Sequence, residues 1–65
     1  MKNLYTIDEM VTEVEKEISM REHVYWKRVR EGKMTPAAAQ NGIDIMRAIL
    51  NLLKEKQQEK QLKLL

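Results

Sequence analysis

Apolar side chains recur along this chain in two helical registers separated by one short interruption. Ile7, Val11, Val14, Ile18, Tyr25 and Val29 repeat close to every 3.5 residues, and at 100° per residue they fall on one narrow stripe. Arg21 and Glu22 stand where the next apolar pair belongs, a charged break that reads either as a specificity device or as a site. After Pro36 the pattern widens. Ala38, Ala39, Gly42, Ile43, Ile45, Met46, Ile49, Leu50, Leu52 and Leu53 cover about half of the helical circumference, more than one neighbouring helix buries. Gln40, Asp44, Arg47, Asn51, Lys54 and Glu55 make up the opposite, solvated side.

The interruption is Gly32-Lys33-Met34-Thr35-Pro36. Glycine past a helix end takes the left-handed conformation cheaply, threonine caps the next helix, and proline suits the first helical position. Upstream, Thr6-Ile7-Asp8-Glu9 has the form of a capping box, with Tyr5 and Met10 spaced as a hydrophobic staple. Met34 and Ala39 are spaced as a second staple. The pattern predicts an all-α, antiparallel helical hairpin in a single domain spanning 1–65. Helix 1 runs over about 7–31, the turn over 32–35 and helix 2 over about 36–60, with a frayed tail to 65 anchored only by Leu62, Leu64 and Leu65.

Folding the helices about that turn sets Val29 near Ala38, Tyr25 near Gly42, Ile18 near Ile49 and Val14 near Leu53. A tyrosine ring against Gly42 accounts for a glycine that otherwise costs about 1 kcal/mol inside a helix. The same register sets Ile7 and Val11 opposite Lys56 to Lys60, where helix 2 has turned polar, so a second protomer is expected to cover them. With the surplus face at Ile45, Ile49, Leu52 and Leu53, this implies a homo-oligomer: a dimeric four-helix bundle or a larger ring.

Size and composition sharpen that expectation. At 65 residues, burial reaches only about 60% of the unfolded surface, so an unaided core is marginal. Cysteine is absent, and His23 is the only histidine, which excludes disulfide staples and a zinc site built from one chain. Neither a membrane-spanning apolar run nor a signal-peptide core is present, so the reading is a cytoplasmic protein with no membrane contact. The charge is nearly balanced, 12 Lys plus Arg against 10 Asp plus Glu, yet it is segregated. Residues 1–20 hold two lysines against five carboxylates, net −3, and residues 21–35 hold five basic residues against two glutamates, net +3.

No catalytic constellation, cofactor motif or metal-ligand spacing emerges. Ser19 and His23 share one helix face, but no acid is placed to orient the imidazole. Glu13 and Glu17 are an i,i+4 pair without the Glu-x-x-His pattern of bundle metal sites, and read as a solvated face. The basic run Arg21, Lys27, Arg28, Arg30 and Lys33, interleaved with His23, Tyr25 and Trp26, has the composition of a phosphate-binding patch with stacking groups. The plainer account pairs Arg21 with Glu22 or Glu17 and lays the Arg28 stem on the core. Trp26 and Met20 point away from the stripe with Val24 on its flank, a pattern of contact-surface residues.

The motif Met20-Arg21-x-x-Val24-Tyr25-x-x-x-Val29-x-x-Gly32-x-Met34-Thr35, followed by Ile43-x-x-Met46-x-Ala48-Ile49-Leu50, resembles a group of short phage- and prophage-encoded proteins. Many of these read Met-Arg-x-x-Val-Tyr-Pro-x-x-Val-x-x-Gly-x-Met-Ser. The likeness covers about half of the chain, and Trp26 replaces the proline common in that group, which favours a continuous first helix. It implies a phage accessory setting in the host cytoplasm and carries no catalytic residues. The expectation is therefore a non-enzymatic protein that binds a host or phage protein, such as a host regulatory or defence protein, through Met20, Arg21, Val24, Trp26, Arg28 and Arg30. The alternative is nucleic-acid binding at the basic hairpin tip.

Overall fold

The computed structural model describes residues 4–63, with side chains through Glu59. Over these residues the chain forms two α-helices, α1 (Ile7–Arg30) and α2 (Pro36–Lys63), packed antiparallel with no strand among the described residues. Local chemistry sets each helix end. The Thr6 hydroxyl accepts the Glu9 amide at 3.0 Å while the Glu9 carboxylate accepts the Thr6 amide at 3.2 Å, completing the capping box.

Helix α1 stops in a Schellman arrangement. Gly32 adopts φ 74°, its amide donates to Val29 O at 3.0 Å, and the Lys33 amide donates to Arg28 O at 2.8 Å, so two otherwise orphaned carbonyls are satisfied. Thr35 then caps α2, its hydroxyl accepting the Ala38 amide at 3.1 Å. Helix α2 runs to Lys63, three residues beyond the sequence expectation, because Lys, Glu and Gln sustain a helix after its apolar face has ended. Leu64 and Leu65 lie outside the described residues, as does the side chain of Leu62.

The enclosed core is small: Val11 and Ile18 from α1, Ala39 and Ile43 from α2. Cross-helix pairs give the register. Tyr25 lies against Gly42, Glu22 pairs with Arg47 at 2.6 Å, Glu15 with Lys54 at 3.8 Å, and Gln57 donates to Asp8 at 2.9 Å. This register changes one expectation. Val11 does not wait for a second protomer, because it is only 6% exposed within its own hairpin, and Ile7 is half-buried. The polar end of α2 covers them after all, with half-buried Gln57 reaching across the seam and its aliphatic stem available for packing.

Candidate functional site

The charged break in the α1 stripe is an internal joint. The Arg21 guanidinium donates through Nε to Glu17 Oε2 and through Nη1 to the Gly42 carbonyl, each at 2.8 Å, and its Cζ lies 5.5 Å from the centre of the Tyr25 ring. Gly42 is what makes this possible. A Cβ built there would lie 2.9 Å from Tyr25 Cε2, so only glycine lets the ring lie on the α2 backbone, just beneath the carbonyl that Arg21 takes. The planar guanidinium ties two helices and one ring together while keeping its charge compensated. Arg21, expected as a partner-binding residue, is thus committed within the hairpin.

Trp26 and Val24 are both half-buried, with part of each side chain still at the surface. A helical wheel gives direction but not the reach of the neighbouring helix. Met20 is 43% exposed, and Arg28 and Arg30 are exposed with no ion pair among the described residues. The basic tip therefore presents free guanidinium groups, whereas Lys33 lies 3.9 Å from Glu31. Ser19 and His23 are both exposed, and no group of His, Cys, Asp and Glu side chains among the described residues is arranged to hold a metal.

The strongest surface feature is on α2. Ile45 is 51% exposed, Ile49 39% and Leu52 64%, in i, i+4, i+7 spacing on one side of the helix. Leu53, between this stripe and the core, is half-buried. Ile49 and Leu53 also line an open recess of about 860 Å³ with Val14, Met10 and Tyr5, and with Asp8, Glu9, Thr12 and Glu13. That lining wraps around the first turns of α1, so the recess is a furrowed surface rather than an enclosed ligand cavity.

The two edges of the helix–helix seam differ in kind. One is laced by Asp8–Gln57, Glu15–Lys54 and Glu22–Arg47. The other, marked by the Arg21–Gly42 contact, opens onto the apolar stripe.

No helix among the described residues is long and apolar enough to cross a membrane. The chain matches no family model, no curated protein and no solved structure.

Proposed function

We propose that this chain is a non-catalytic interaction protein that works through protein–protein contact at the apolar face of its hairpin, self-association included. The observation that carries this reading is the exposed stripe Ile45, Ile49 and Leu52 on a hairpin whose enclosed core is so small. Burying a large aliphatic side chain fully is worth about 1.5 to 3 kcal/mol, so covering three that are roughly half exposed adds roughly 3 kcal/mol per copy. For a chain this short, whose net stability is of order 3 to 10 kcal/mol, that is a large fraction. The resemblance of the Met20-to-Thr35 motif to short phage and prophage proteins points this reading to an accessory role in a phage-infected host cytoplasm, with a host regulatory or defence protein as the proposed partner class.

A second reading, nucleic-acid binding, draws on the exposed Arg28 and Arg30 at the tip, which make no ion pair among the described residues. The two separate on salt, because phosphate contacts weaken steeply as salt rises whereas apolar contacts do not. Light scattering coupled to size-exclusion chromatography, with and without short DNA at low and high salt, tests them together. A self-associated species indifferent to DNA is expected. A salt-sensitive complex with DNA and no self-association would overturn the protein-contact reading in favour of the tip.

A further inference from the structure

We propose that a second copy of this chain occupies the apolar face, packed face to face with the two hairpin tips at opposite ends. This rests on the protein-contact reading above and adds the occupant and its orientation. At 100° per residue, the stripe Ile45, Ile49 and Leu52 is turned roughly a quarter of the circumference from the core side of α2. The Arg21–Gly42 contact puts the Arg21 flank of α1 on that same side, while the Glu15–Lys54 and Glu22–Arg47 pairs occupy the other edge. One broad face therefore combines the α2 stripe with Glu13, Val24 and Arg28 of α1.

Charge on this face decides the orientation. Along α1 it is acidic towards the open end, where Glu13 is exposed and lies 3.5 Å from Lys16. At the tip it is basic, where Arg28 has no ion pair among the described residues. With the tips together, both basic tips would crowd one end of the dimer, and the α2 stripe would lie over the Glu17–Arg21 pair and desolvate it. With the tips opposed, a two-fold axis crosses the stripe beside Ile49, midway between Ile45 and Leu52. Ile45 then packs against Leu52 of the second copy, and the cross-helix register brings Arg28 within a turn of the other copy's Glu13. The stripe buries itself, and the Arg28–Glu13 contact forms twice.

The chain has no cysteine, so Lys33→Cys carries a single spin label at the exposed turn. Lys33 lies about 15 residues from the proposed axis, so at 1.5 Å per residue the two labels in a dimer sit roughly 45 Å apart, against under roughly 25 Å with the tips together. A pulsed dipolar distance near the long value is expected. A short distance overturns the orientation while leaving the contact surface intact, and a monomer at every concentration overturns the second copy as occupant. Charge exchange checks the pairing on exposed positions outside the enclosed core. Arg28→Glu alone should weaken dimerisation roughly three- to tenfold, and adding Glu13→Arg should restore it. A double variant as weak as the single one would show that Arg28 does not face Glu13.

Discussion

At the scale of single residues, the joint between the helices depends on one side chain that is missing and one that is charged. Gly42 has no Cβ, so Tyr25 can lie on the α2 backbone. Gly42→Leu should destabilise the hairpin by about 1 to 3 kcal/mol, the usual range for overpacking, despite leucine's better helix propensity. Chemical denaturation followed by circular dichroism reads this directly, and an unchanged midpoint would mean that the ring moves aside freely. Arg21 supplies the complementary interaction through Glu17 and the Gly42 carbonyl. Its side chain is 24% exposed, so solvent weakens the pair, and Arg21→Met should cost about 1 kcal/mol. Arg21→Lys should fail to recover that loss, because an ammonium does not offer two donors in a fixed fork. Full recovery by lysine would reduce Arg21 to a point charge.

At the scale of the elements, helix boundaries follow from local rules and so were legible in the chain itself. Thr6 and Glu9 form the capping box, and Gly32 takes the left-handed φ that its place after α1 demands. Thr6→Ala should lower thermal stability by about 1 kcal/mol, while Thr6→Ser should stay near the parent, since serine offers the same acceptor. A Thr6→Ala protein as stable as the parent would mean that α1 is held by packing alone. The short turn also made the register readable, as the Tyr25–Gly42 contact shows. What stayed hidden depended on neighbours. Helix α2 passes Lys60 because no stop signal follows Lys54, and Val11 is buried within the hairpin although the stretch of α2 facing it, around Lys54 to Gln57, is polar. Arg21 looked like a break in the stripe because a periodic pattern records polarity and not the carbonyl across the seam. Trp26 looked free because a wheel does not show how far a large ring is covered. The surplus face at Ile45, Ile49 and Leu52 could be read as exposed, but not what covers it.

At the scale of the whole molecule, a hairpin with one polar edge and one apolar face is asymmetric in what it offers a partner. Leu52→Asp places a charge on the most exposed residue of the stripe and touches none of the enclosed core. The parent should melt at a temperature that rises with protein concentration, whereas the variant should melt at one temperature throughout, as differential scanning calorimetry over a wide dilution range would show. A concentration dependence that survives the substitution would move the interface elsewhere. The tight Gly32 turn has a kinetic consequence as well. The Arg21–Gly42 contact closes a loop of 21 residues and Asp8–Gln57 one of 49, a difference worth only roughly 0.8 kcal/mol of closure entropy if each formed alone. Once the tip has closed, however, each further contact brings only a few more residues into place, so the helices join like a zipper started at its glycine end. Opening runs in reverse, and amide hydrogens beside the turn should be the last to exchange with solvent.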